Sequence, residues 1–139
     1  GVEVQMSATQ LATYVFILHQ TYCTHHGGLV KAGQHYPLSD KDVQRLGNTY
    51  HAICNLFRET PIAEARSYLE DVQNIRGYIA RIRTTITHHI DEQDLNYYMP
   101  QDTSDKSRYY IAIESTKIFM HTASGDMMFV DYPLWKTLK

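Results

Sequence analysis

The most regular alternation of apolar and polar positions in the chain lies between Thr60 and His89. Ala65, Val72, Ile79 and Ile86 recur at intervals of seven, and Tyr68, Ile75, Ile82 and His89 recur at the same interval three positions later. That spacing draws one stripe along an α-helix, in the a/d arrangement of a coiled-coil seam. Thr60 suits the N-cap, and Pro61 the first helical position, where a missing N–H removes no bond. Glu64, Glu70 and Asp71 come early and Arg76, Arg81 and Arg83 late, an order that complements the helix dipole. A helix over this span would be ~40 Å long. The pattern predicts one long helix that organises the fold and reaches past its neighbours.

Two shorter helices are predicted ahead of it. Leu11, Tyr14, Val15, Leu18 and Tyr22 form a stripe over 7–24, with Ser7 as cap and a stop before Gly27-Gly28. Residues 25–38 hold three glycines and Pro37 and are predicted as a loop. Ser39, Asp40 and Asp42 open a second helix that runs to about Glu59. Its stripe is Val43, Leu46, Tyr50, Ile53, Cys54 and Phe57, with Gly47 inside it, at a helix crossing or a kink. The short connection at Thr60-Pro61 predicts an antiparallel pair with the long helix.

Residues 90–107 are polar and irregular, a linker carrying the pair Tyr97-Tyr98. Beyond it the period changes to two. Tyr109, Ile111 and Ile113 share one face; Ile118 and Met120 alternate with Phe119 and His121; Ser124-Gly125-Asp126 is a turn; Met127 to Tyr132 alternates again before Pro133. This predicts a three-stranded meander, with Leu134, Trp135 and Leu138 folding back on it. A helix over 108–122 is the competing assignment, disfavoured by the density of Tyr and Ile. The predicted fold is therefore α+β: three antiparallel helices, the third one long, followed by a small three-stranded antiparallel β-meander. It forms a single domain over 1–139, with a helical part at 7–89, a linker at 90–107 and a β part at 108–139.

Composition narrows the classes of function. With 43% hydrophobic and 20% charged residues the chain is globular in character. A net charge of −2 argues against attraction of the whole molecule to nucleic acid or an anionic membrane. Apolar runs such as Val15–Leu18 are far too short to span a bilayer. No signal-peptide pattern opens the chain, and Cys23 and Cys54 sit in helical stripes as buried thiols. A cytoplasmic location is the expectation.

Eight histidines are the richest source of candidate chemistry. In an antiparallel pair of helices two and three, His51 stands ~13 Å from the connecting turn and His88 ~40 Å. One end of the molecule would then collect His25, His26, His35, His88 and His89, near Asp91 and Glu92. Those donors suit zinc or another divalent transition metal. The spacings match neither His-Glu-x-x-His nor Cys-x-x-Cys, so the expectation is no cofactor, with a divalent metal such as zinc as the alternative. The pairs Cys23–His19 and Cys54–His51 could be written as thiol and base, but thiols on apolar stripes are inert packing. Gly27-Gly28 does not open a phosphate-binding loop. Arg76, Arg81 and Arg83 could touch phosphates, although bases at a helix C-terminus are expected from the dipole alone.

The function these features favour is a small, soluble, non-enzymatic interaction or regulatory module that binds another protein and self-associates, as a homodimer. Tyr78, Arg76 and Arg83 on the long helix and Tyr97 and Tyr98 in the linker would form the protein-binding surface. Asp71 and Arg76 stand where a parallel helix pair places an interchain bridge. A histidine-site metal protein is the second reading, and a small nucleic-acid-binding regulator the third.

Overall fold

No Asp, Glu, Lys or Arg occurs between Glu3 and Lys31, and a helix formed without charge has no face to give to water. The computed structural model, which describes residues 5–32, 37–58, 68–122, 125–132 and 135, with side chains of the third helix described from Asn74, places that helix at the centre. This is α1, Ala8–Tyr22, with Ala12, Thr13 and every residue from Val15 to Gln20 buried. It packs against helices and strands alike. Ser7 caps it by accepting from the Gln10 N–H. Its buried hydroxyl is satisfied, because Thr13 Oγ1 donates to the Thr9 carbonyl and lies 3.0 Å from Tyr50 Oη.

Helix α2, Asp40–Leu56, starts at the expected cap, where Ser39 Oγ accepts from the Asp42 N–H. It buries Leu46, Gly47, Thr49, Tyr50 and Ile53. Thr13 meets Tyr50 while Gln20 shares a cleft with Arg45, so α1 and α2 run antiparallel. Phe16 stacks on Tyr50 at 5.0 Å between ring centroids.

Helix α3 spans Tyr68–His89 among the described residues. The predicted cap and first turns, Thr60 to Ala65, lie outside them. Ile75, Ile79, Ile82 and Ile86 are all buried within the chain itself, and Ile75 and Ile79 join the cluster around α1. The described part of the seam is therefore an inward face. The organising role belongs to α1.

The prediction of three helices followed by a meander is overturned. A fourth helix, α4 (Leu95–Tyr98), forms in the stretch predicted as linker, after a 3₁₀ turn at Glu92–Asp94. Among the described residues there are two separate sheets. β1 (Leu29–Val30), β2 (Gln101–Asp102) and β3 (Arg108–Tyr110) make one, in the order β1-β3-β2 and antiparallel throughout. β4 (Phe119–Thr122) and β5 (Gly125–Met128) make a hairpin of their own. The helix alternative over 108–122 does not form either. Two physical causes account for the correction. Strands of two or three residues are too short to show alternation. The partner of β3 is also β1, drawn from the loop predicted at 25–38.

Gly28 shows why that pairing works. Its φ is +151°, and a Cβ there would collide with the Tyr109 carbonyl oxygen. The glycine is a point of close strand approach. On the other side of β3, the 101–110 hairpin closes through Asp105, whose Oδ1 accepts from Ser107 Oγ, Ser107 N–H and Thr103 Oγ1. Those bonds hold its carboxyl down at about 2. Lys106 follows at φ 60°, the left-handed residue that a short hairpin loop requires. Trp135 does fold back, donating Nε1–H to the Phe129 carbonyl at 2.6 Å and stacking on Phe129, Tyr132 and His19. Leu134 and Leu138 lie outside the described residues. No helix among them is long and apolar enough to cross a membrane.

Candidate functional site: a cationic cleft between α1 and α2

The chain leaving α1 is wound back over the helix end. The Cys23 N–H donates to the His19 carbonyl, Thr24 Oγ1 and the Gly28 N–H both donate to the Gln20 carbonyl, and the His26 N–H donates to Thr24 Oγ1. Gly27, at φ 70°, makes the reversal possible. The result sets His25 and His26, both exposed, above the first turns of α2.

Beneath them lies a cleft of about 280 Å³, walled by Gln20, Cys23 and Thr24 from α1 and its exit and by Arg45, Leu46 and Thr49 from α2. A second hollow of about 150 Å³ adjoins it, sharing Gln20, His26, Arg45 and Leu46, and adds Asp42, Gly28 and Arg108. Arg45 stands at the junction. Its Nη1–H donates to His26 Nε2 at 2.9 Å and its Nη2–H to Asp42 Oδ1 at 3.0 Å. A guanidinium has no acceptor, so His26 Nε2 must be bare and the imidazole neutral. Burial, then the charges of Arg45 and Arg108, hold the His26 pKa below its ordinary value, with Asp42 acting against them.

Arg108 begins β3 opposite Val30. Its Nη1–H donates to Ser107 Oγ. Its Nε is buried and has no hydrogen-bond partner. An unpaired buried N–H normally costs ~1–3 kcal/mol. The absent side chain at Gly28 leaves the room that the Arg108 Cβ needs, at 3.2 Å from where a Cβ would stand.

Of the metal-site and protein-binding residues singled out from the sequence, His25 and His26 line this cleft and the other described ones do not. His88 and His89 are exposed in the last turn of α3, and His89 Nδ1 bonds to the Thr85 carbonyl. His35 lies outside the described residues. Among the described residues no three His, Cys, Asp or Glu side chains gather where they could hold a metal. Arg76 donates to the Ala32 carbonyl. Arg83 donates to the Pro100 carbonyl and lies 3.6 Å from Asp102, which Lys31 approaches to 2.7 Å. Tyr78 is half-buried. Tyr97 and Tyr98 meet edge to face, and each bonds inward: Tyr97 Oη accepts from the Glu114 N–H, and the Tyr98 carbonyl accepts from Tyr14 Oη. Arg76, Arg83 and Tyr97 thus make bonds within their own chain.

Cys23 does not pair with His19 as thiol and base. Burial raises the Cys23 thiol, and His19 Nδ1 bonds to Gln20 Nε2 instead. What the two adjoining hollows gather is two guanidinium groups and two imidazoles, with one carboxylate. That set attracts and orients an anionic group. Nothing in the sequence pairs Arg45 with Arg108, which are 63 positions apart and line one hollow only once β3 pairs with β1. No family model, curated protein or solved structure matches the chain, so its assignment rests on the chemistry of this cleft.

Proposed function

We propose that the chain is a small non-catalytic interaction module that binds another protein by seating an acidic side chain of that protein in the α1–α2 cleft. The observation that carries this reading is that Arg108, whose buried Nε–H has no partner, lines one open hollow together with Arg45 and His26. An acceptor that meets this N–H after a small turn of the Arg108 side chain relieves the unpaired donor, which is where binding free energy is gained. The local excess of positive charge stands out in a chain whose net charge is −2. Self-association through α3 is not part of the proposal, because Ile75, Ile79, Ile82 and Ile86 face their own chain.

Fluorescence anisotropy with short labelled peptides tests the proposal. Peptides carrying glutamate or phosphoserine are expected to bind, their neutral counterparts to bind far less, and Arg45→Glu to abolish the difference. Equal binding of acidic and neutral peptides, or indifference to Arg45→Glu, would count against it.

A further inference from the structure

We infer that the cleft is an oxyanion site in which a carboxylate or phosphate group bridges Arg108 Nε–H and Arg45 Nη1–H and takes the place of His26 as the acceptor for Arg45. The inference rests on the protein-binding proposal and specifies its ligand chemistry. An arginine meets two oxygens of a carboxylate or phosphate through adjacent N–H groups, and Nε–H is one of the pair. In Arg108 that donor is buried and unused while Nη1 is tied to Ser107. In Arg45, Nη2 is held by Asp42, and Nη1 is occupied only by a neutral imidazole at 2.9 Å. The Arg45–His26 bond is charged on the donor side only, whereas an anionic acceptor adds ion pairing and a bidentate fit to the guanidinium, so an anion outcompetes His26 for that N–H.

Displacement changes the chemistry of His26. Its Nε2 no longer accepts from a cation and is free to take a proton from solvent and donate to the anion. The groups facing it are Arg45 and Asp42 from α2, Arg108 from β3 and His25 from its own loop. With His26 neutral, Arg45, Arg108 and Asp42 sum to one positive charge; with His26 protonated they sum to two. Anion capture is therefore coupled to proton uptake and strengthens as pH falls.

Titration with sodium sulfate against sodium chloride at matched ionic strength, followed by melting temperature and backbone amide shifts, tests the inference. Sulfate keeps its charge across this pH range, so the pH dependence belongs to the protein. The expected result is a saturating response centred on 24–28, 42–46 and 107–109, tighter at about pH 6 than at about pH 7.5. Arg45→Gln and Arg108→Gln should each weaken it about tenfold. Arg108→Lys, which keeps the charge but lacks Nε–H, should weaken it too, and it supplies the test if Arg108→Gln does not fold. A response that does not saturate, that chloride reproduces, or that survives in these variants overturns the inference. Sulfate and a phosphoserine peptide distinguish a free ion from a group on a partner. Arg45-dependent binding of acidic peptides without any sulfate response would sink the inference and leave the protein-binding reading standing. Failure of both would sink both.

Discussion

Gly27 and Gly28 are adjacent, yet different constraints hold them. Gly27 has φ 70° and open space around its α-carbon, whereas Gly28 lies against the Tyr109 carbonyl at φ +151°. Gly27→Ala should therefore cost only about 1 kcal/mol of left-handed strain. Gly28→Ala adds a backbone collision and should cost about 3 kcal/mol or more, because β1 must shift away from β3. Urea unfolding of the two variants checks the difference, and equal losses would mean that the close approach is not real. His19 is a second residue with a sharp expectation. It is buried, and its pKa is lowered by burial to about 4 from the ordinary 6.5. The unfolded chain binds this proton first, so His19 favours the folded state fully above pH ~6.5 and that contribution is lost as pH falls toward ~4. The loss should reach about 3 kcal/mol, at ~1.4 kcal/mol for each pH unit between the folded and unfolded values. Denaturation between those two pH values should show it, and a His19→Gln variant that folds should show a shallower slope. At this scale the sequence was partly legible. His25 and His26 do stand on a loop at the end of α1. Their neighbours are arginines because Arg108 arrives on a strand whose pairing two residues cannot announce.

Among the elements, α3 carried the clearest period and α1 carries the core. Ile75, Ile79, Ile82 and Ile86 fit a coiled-coil seam and fit equally well the narrow inward stripe of an ordinary amphipathic helix. The two periods drift apart by only ~20° per heptad, so this short run does not separate them. The informative signal was the absence of charge from Val4 to Val30, which marks a helix covered over most of its surface. The tyrosines also belong to this scale. Tyr14 Oη donates to the Tyr98 carbonyl at 2.7 Å, and Tyr22 Oη donates to the Ile113 and Ile111 carbonyls at 2.7 and 3.1 Å. Two hydroxyls on α1 thereby hold the segment that carries α4 and β3. Tyr14→Phe combined with Tyr22→Phe should cost about 2 kcal/mol, at ~1 kcal/mol per hydroxyl, the one Tyr22 proton being shared between two carbonyls. Amide hydrogen exchange should speed up most between 97 and 114. Unchanged exchange there would show that the segment is held by apolar packing alone.

For the whole molecule, the mixed α+β class was legible, since four of the five described strands follow the long helices. The topology was not, because β3 pairs across the molecule with β1 and the 101–110 hairpin hides in a polar stretch. Its turn chemistry, Thr103-Ser104-Asp105-Lys106-Ser107, was the available clue. That long-range pairing has a functional consequence. It delivers Arg108 to a cleft built by α1 and α2, so folding of the sheet and assembly of the cationic site are one event. The most direct test of this account follows the side-chain Nε–H resonance of Arg108 by NMR while an acidic peptide or sulfate is added. The account predicts a resonance protected from water that moves and saturates with the ligand, in step with Arg45. A resonance that stays in place while ligand binds elsewhere, or one that exchanges freely with water before any ligand is present, would contradict it.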